Sequence, residues 1–210
     1  MFDLFDTLVD YDETTSREFS GSAARLLGRD HDEFHATWRA GRPDRETGPL
    51  VAYLEALGLD EKSVAALAEL RKESSRRLLG TPRPGAVETL VELRSRGIGT
   101  GLITVCSDDV PAVWSGTPFA GLFDAEVFSC SVGLRKPDAR IYRIACDQLG
   151  VRAEHALFVG DGANDELDGA ERAGMRAVLI HRDGEDPPWP EVRDWPGPRI
   201  TALPQVLELL

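Results

Sequence analysis

The sequence lacks any long hydrophobic run. None of its 210 residues belongs to a stretch approaching the ~20 consecutive apolar residues that cross a bilayer. Its N-terminus carries two acids within the first six residues and lacks the basic start and apolar segment of a secretory signal peptide. We therefore expect no membrane span and no export, and we expect the protein to be cytoplasmic.

Cysteine is scarce, and basic residues are outnumbered by acidic ones. The three cysteines, Cys106, Cys130 and Cys146, show no CxxC or Cys/His spacing, which predicts reduced thiols and no zinc site. With 24 Lys and Arg against 36 Asp and Glu, the net charge is −12. Such a surface repels nucleic-acid phosphates and anionic lipids, so we expect neither as a partner. An anionic substrate would need local positive charge in its pocket.

The hydrophobic pattern divides the chain into three stretches. Residues 1–10 read as a short apolar strand that ends in acids, and residues 13–79 have apolar residues at helical spacing with no convincing strand. We predict a small all-helical domain over 13–80, inserted into a core made of 1–12 and 81–210. The predicted helical segments of this domain are Ser22–Leu27, His31–Ala40, Leu50–Leu57 and Ser63–Leu79.

After residue 81, predicted strands alternate with helices of about ten residues. The strands are Gly101–Val105, Ala125–Phe128, Ala156–Val159 and Ala177–Ile180, and a Pro-rich loop at 187–198 leads to a last strand and helix within 199–210. The intervening helices are Ala86–Arg96, Val110–Trp114, Pro137–Leu149 and Asp165–Ala173. This alternation predicts an α/β fold, with a Rossmann-like three-layer core around a parallel sheet.

Ligands of such sheets bind outside the carboxyl ends of the strands, so the residues that follow each strand are the candidates. Asp3 ends the first strand, Thr104 lies at the end of the next, Lys136 stands before a helix, and Asp161 follows the fourth. Together they supply a carboxylate nucleophile, metal-ligand oxygens, a hydroxyl donor and a cation.

Four motifs carry a family resemblance: DLFDTLVD at 3–10, the apolar run into Thr104, KPDARIY at 136–142 and VGDGANDELDGAERAGM at 159–175. In this order and spacing they resemble the haloacid dehalogenase-like hydrolase superfamily, in its branch with a helical cap, over essentially the whole chain. The resemblance implies that the helical insert is that cap. It also implies that Asp3 is a nucleophile that forms an aspartyl intermediate.

The resemblance further implies a Mg²⁺ site and its neighbours. The protein ligands of the ion would be Asp3, the backbone carbonyl of Phe5 and Asp161. Asp165 would bind the ion through a water molecule or contact its ligands without touching the ion. Thr104 would donate a hydrogen bond to the phosphoryl group, and Lys136 would offset the charge of the nucleophile. The alternative for Asp161 and Asp165 is capping of the helix N-terminus, where acids are favoured.

The sequence departs from the family's phosphatases at Phe5, where they usually carry a second Asp as general acid and base. General acid and base catalysis by that Asp is worth roughly 10²–10⁴-fold in rate. Asp6, where the family commonly has Gly, is the neighbouring acid that could take over this role. Adjacent residues on a strand point in opposite directions, however, which argues against the replacement. Three functions stay open: a Mg²⁺-dependent phosphatase of a small metabolite, which we favour, a 2-haloacid dehalogenase, or a non-catalytic ligand-binding descendant.

Specificity would come from the helical insert, where Arg42 and Arg45 are our candidate substrate-binding residues because Arg pairs well with carboxylate or phosphate. An exposed basic turn explains them equally well. We expect a small anionic substrate and a monomer or homodimer. The first strand of the family it resembles has several apolar residues before the nucleophile, whereas only Met1 and Phe2 precede Asp3. We therefore expect either that the natural chain starts further upstream or that the edge of this strand is frayed.

Overall fold

The computed structural model describes residues 1–11, 13–182, 184 and 189–210. Pro187 and Pro188, at the start of the predicted Pro-rich loop, lie outside the described residues. The strands are β1 (Gly101–Thr104), β2 (Ala125–Phe128), β3 (Leu157–Gly160), β4 (Arg176–Ile180) and β5 (Arg199–Ile200). The helices of the insert are α1 (Glu13–Leu27), α2 (His31–Ala40), α3 (Arg42–Arg45), α4 (Leu50–Ala56) and α5 (Glu61–Leu79). Those of the remainder are α6 (Ala86–Ser95), α7 (Asp109–Val113), α8 (Ser129–Val132), α9 (Ala139–Leu149) and α10 (Glu166–Arg172).

The strands form one parallel sheet whose centre is the N-terminal segment. β1 pairs with β2, and β3 pairs with β4, which pairs with β5, all in parallel. Phe2 bridges to both Leu102 and Val159, so residues 1–3 lie between β1 and β3. The order across the sheet is therefore β2, β1, residues 1–3, β3, β4, β5. The predicted α/β fold with a parallel sheet is confirmed.

Alternate residues of each strand face opposite layers, as the two-residue period of a strand requires. Leu102 and Val159 belong to a cluster with residues of α6 and of the 3₁₀-helix Leu203–Glu208. Their neighbours Ile103 and Phe158 belong to a second cluster, with residues of α9 and α10. Helices thus cover both faces of the sheet, which gives three layers.

The insert, α1–α5, has a hydrophobic cluster of its own in which Phe19, Phe34 and Trp38 are buried. The Asp30 and Asp60 side chains cap α2 and α5 by accepting backbone hydrogen bonds of 3.0 and 2.8 Å. Among the described residues of the insert there is no strand, and none of the described helices is long and apolar enough to cross a membrane. An antiparallel bridge joins Val9 to Pro82 where the chain leaves and re-enters the core. The insert therefore begins and ends at the carboxyl edge of the sheet.

The C-terminal end differs from the prediction. The expected last helix is a 3₁₀-helix over Leu203–Glu208, with proline as its second residue, and β5 has only two residues. The segment still buries Leu203 and Val206 against the sheet.

Candidate active site

A cavity of about 230 Å³ lies where the insert meets the carboxyl ends of the central strands. The core contributes Asp3, Lys136, Asp161 and Glu166 to its lining. The insert contributes Trp38 and four arginines: Arg39, Arg42, Arg45 and Arg71. The volume lies below the ~300–1,000 Å³ typical of pockets for drug-sized ligands, which suits a small metabolite.

The core side of the cavity holds a buried cluster of three acids and one lysine. Asp3, Lys136, Asp161 and Glu166 are only 5, 6, 3 and 1% exposed. Lys136 Nζ donates to Asp3 Oδ1 and, at 2.5 Å, to Glu166 Oε2. One carboxylate oxygen from each acid lies within 4.8 Å of the others. The strand ends therefore bring residues 3, 136, 161 and 166 together.

Asp3 is held in place by the central strand and the turn that follows it. Its backbone N–H donates to Val159 O at 2.9 Å, which fixes it in the sheet. The Leu4 carbonyl then accepts from Leu8 and Val9 at 2.8 and 3.0 Å, closing a tight turn in which Asp6 has a φ of 56°. The left-handed conformation of Asp6 explains why glycine would suit this position.

Glu166 reaches the cluster because of the loop before α10. Asn164 and Asp165 both have positive φ, and after them the chain enters α10 with Glu166 as its first residue. The Glu166 carboxylate accepts the Gly162 N–H at 3.0 Å, and Tyr142 donates to its backbone carbonyl at 2.7 Å. Gly162 has a φ of 90°, and a Cβ there would lie 2.6 Å from Val192 Cγ1. This close approach requires glycine.

Charge in the cluster is not balanced by the protein. Three ionised acids against Lys136 would leave a net charge of −2 in a buried site. Burial raises the pKa of Asp3 and of Glu166, while Lys136 opposes both shifts. The two acids in turn raise the pKa of Lys136 against the effect of its burial. A divalent cation would restore neutrality, and an all-oxygen ligand set suits Mg²⁺.

Asp161 has a further partner that the sequence did not suggest. Trp189 Nε1 donates to Asp161 Oδ2 at 2.5 Å, and the Ala163 N–H donates to Oδ1 at 3.3 Å. Trp189 comes from the Pro-rich loop and also lines the cavity. The indole orients the carboxylate and covers part of its polar surface.

Two of the predicted residues do not line the cavity. Thr104 is fully buried, and its hydroxyl has no hydrogen-bond partner within the described residues. The cavity is lined instead by Val105, Cys106 and Ser107, which follow it. Asp165 is exposed and lies outside both the cavity and the acid cluster. Phe5 does line the cavity.

The sequence did not predict Glu166, because the loop after β3 offers three acids within six residues and only its backbone geometry selects among them.

Asp6 also lines the cavity. It accepts the Tyr11 N–H at 2.9 Å, and burial, aided by the charges of Asp161 and Asp3, raises its pKa to about 6.

The arginines of the insert differ in their partners. Arg42 pairs with Glu46 at 2.9 Å, and Glu46 also pairs with Arg135 at 2.9 Å. Arg45 is 6% exposed, donates to the Trp38 carbonyl at 2.5 Å, and places its guanidinium 4.0 Å from the centre of the Trp38 ring. Both predicted arginines thus reach the cavity. Arg71, which the sequence did not single out, joins them.

The chain is similar in sequence to known phosphatases and to a dehalogenase. Glyceraldehyde 3-phosphate phosphatase of Methanopyrus kandleri is 32% identical over 133 residues, which cover 61% of this chain and 56% of that protein. (S)-2-haloacid dehalogenase 4A of Burkholderia cepacia is 31% identical over 131 residues, covering 62% and 52%. The chain therefore spans about half the length of these curated relatives.

A HAD phosphatase from Thermococcus onnurineus has the same fold, with a TM-score of 0.73 and 23% identity over 99% of this chain and 95% of that one. Residues 1–174 match the profile of the haloacid dehalogenase-like hydrolases. That match includes the first strand, the insert, the first three motifs and all but the last residue of the fourth. The chain belongs to the haloacid dehalogenase-like hydrolase family.

Proposed function

We propose that the protein is a Mg²⁺-dependent phosphatase that attacks a small phosphorylated metabolite with Asp3. The observation that carries the proposal is the buried convergence of Asp3, Asp161 and Glu166 around Lys136 at the strand ends. The similarity to a glyceraldehyde 3-phosphate phosphatase supports phosphate esters as the substrate class. The helices α1–α5 act as a cap that encloses the substrate, because they supply about a third of the residues that line the cavity.

In this proposal an Asp3 carboxylate oxygen attacks phosphorus, and the bond from phosphorus to the leaving oxygen breaks. The product is an aspartyl phosphate, which water then attacks at phosphorus to release inorganic phosphate and restore Asp3. Lys136 holds the attacking carboxylate by its hydrogen bond and offsets its charge. We assign Thr104 no contact with substrate, because it does not line the cavity.

Asp3, Asp161, Glu166 and the Phe5 carbonyl are the residues that would hold Mg²⁺. The ion would offset phosphoryl charge and orient the group for in-line attack. Phe5 supplies no proton to the leaving group, and the full loss of general-acid help costs roughly 10²–10⁴-fold. Aryl esters, whose leaving group needs no protonation, should therefore react much faster than alkyl esters.

The test is p-nitrophenyl phosphate turnover with Mg²⁺, with and without EDTA, in four proteins. Wild type should be active only with the metal, and Asp3→Asn and Glu166→Gln should lose at least ~10²-fold. Asp165→Asn is the matched control, an exposed neighbouring acid outside the cluster, and should retain activity. Ligand binding without turnover would contradict the proposal and favour the non-catalytic alternative.

Phe5 also favours a second candidate, a 2-haloacid dehalogenase, because halide leaves without a proton. The similarity to (S)-2-haloacid dehalogenase 4A points the same way, whereas the third acid of the cluster argues for a metal. Turnover of 2-chloropropionate that EDTA does not stop, with p-nitrophenyl phosphate inert, would select the dehalogenase.

A further inference from the structure

We propose that Arg45 and Arg71 form a second anion site around Trp38, which selects phosphate esters that carry another anionic group. The inference rests on the proposed function, because the second group would occupy the same cavity as the phosphoryl group. The site differs from the acid cluster in origin: both arginines belong to the insert, whereas the cluster belongs to the core.

Arg45 is a buried cation whose charge the protein leaves unmatched. Among the described residues it forms no ion pair with a carboxylate, and its hydrogen-bond acceptor is the Trp38 carbonyl. Burial and the nearby charge of Arg71 lower its pKa, to about 10, although Glu46 opposes the shift. Removing a charge from water without a partner is costly, so a bound anion would stabilise this arrangement.

Arg71 is held so that part of its guanidinium remains available. Its Nε faces Asp109 Oδ2 at 3.3 Å, and Asp109 in turn accepts hydrogen bonds from Ser75 and Ser107. Among the described residues, its two Nη atoms donate no hydrogen bond. Asp109 begins α7 in the core, so this buried pair also fixes the insert to the core.

Both guanidinium groups lie near Trp38 and line the same cavity. Arg45 lies 4.0 Å and Arg71 6.0 Å from the centre of the Trp38 ring. The two like charges repel each other, and an anion bound in the cavity beside them would offset that repulsion. Arg42 is different, because Glu46 neutralises it and its side chain is 49% exposed.

The cavity volume of about 230 Å³ limits the ligand to a compact molecule. One end would meet the acid cluster and its cation, and the other would meet Arg45 and Arg71. The shared chemistry is a phosphate ester with a second anion, either a carboxylate or a second phosphate. The two sources are separated by the choice of ligands in the test.

Three ligands of equal chain length test the proposal: 2-phosphoglycolate, 1,2-ethanediol bisphosphate, and 2-hydroxyethyl phosphate, whose second group is an uncharged hydroxyl. Their inhibition constants are measured against p-nitrophenyl phosphate turnover with Mg²⁺. At least one of the two ligands with a second anionic group should bind about 10-fold or more tightly than 2-hydroxyethyl phosphate, and the tighter of them identifies the second group. Arg45→Gln and Arg71→Gln should each reduce this ratio toward one.

Arg76→Gln is the matched control, an exposed arginine on α5 that should keep the wild-type ratio. A wild-type ratio near one with active enzyme would overturn the second site and leave the phosphatase proposal standing. If p-nitrophenyl phosphate is not hydrolysed, the phosphatase proposal fails. Calorimetry then measures the dissociation constants of the same ligands with Asp3→Asn, and the ratio of these constants decides whether the second site exists.

Discussion

Replacing Lys136 with methionine removes the cation that contacts both Asp3 and Glu166, while keeping a similar side-chain length. All three side chains are at least nine-tenths buried. Breaking a buried pair by removing one partner costs about 3–5 kcal/mol. For a chain of this size, each kcal/mol shifts Tm by roughly 2–4 °C, so metal-free Lys136→Met should melt about 6–20 °C lower.

The loss should depend on pH with a definite sign. Without Lys136 the folded-state pKa values of Asp3 and Glu166 rise further, because the main effect that opposes burial is lost. A group with a raised folded-state pKa loses stabilisation as pH rises through that value. The deficit should therefore be larger at pH 8 than at pH 5, because a larger share of the two acids is protonated at the lower pH.

The assay is urea unfolding in EDTA at both pH values, with Lys62→Met as the control on an exposed lysine of α5. The control should change stability by less than ~0.5 kcal/mol. A Lys136→Met deficit below about 1 kcal/mol, or one equal at pH 5 and pH 8, would refute the buried charge cluster.

Three further variants test other features. Phe5→Asp should raise kcat for alkyl phosphates by at least ~10²-fold and kcat for p-nitrophenyl phosphate much less. An equal effect on both substrates would show that the wild type does not lack a general acid for the leaving group. The pKa of Asp6 rises from 3.8 to about 6 on folding, so the wild type should lose stability as pH rises from about 4 to 6, and Asp6→Asn should remove that loss. Unfolding midpoints measured in EDTA across this pH range check the prediction. Gly162→Ala should lower Tm by an amount equivalent to about 1–3 kcal/mol, since its Cβ would meet Val192; an unchanged Tm would contradict this contact.

The sheet could be predicted because its longer strands are short apolar runs that alternate with helical segments along the chain. The predicted strand Ala125–Phe128 coincides with β2, and the predicted strand Gly101–Val105 is one residue longer than β1 at its C-terminal end. The central strand comprises residues 1–3 alone, and its position between β1 and β3 is shown by the bridges of Phe2 to Leu102 and Val159 rather than by any sequence pattern.

Asp3, Lys136 and Asp161 could be found because each directly follows a strand or precedes a helix at the binding edge. Glu166 could not, since two consecutive positive φ values after Gly162 decide which acid turns inward. Asn and Asp adopt positive φ more often than other non-glycine residues, but the sequence alone does not show that Asn164 and Asp165 both do so here.

Arg71 could not be predicted for a different reason. It lies within α5, where a charged residue normally indicates a solvated face, and its burial depends on Asp109 from the core, 38 positions away. Long-range pairs of this kind leave no periodic signal. Trp189 similarly reaches Asp161 from a loop whose composition predicts only irregular structure.

The most direct test of the central claim is to trap the intermediate on Asp3. Enzyme turning over p-nitrophenyl phosphate with Mg²⁺ is quenched with borohydride, which reduces an aspartyl phosphate to homoserine, and the peptide containing residue 3 is analysed by mass spectrometry. We predict homoserine at position 3 that requires both substrate and Mg²⁺. Steady turnover with an unmodified residue 3, or with the modification at another acid, would contradict the account.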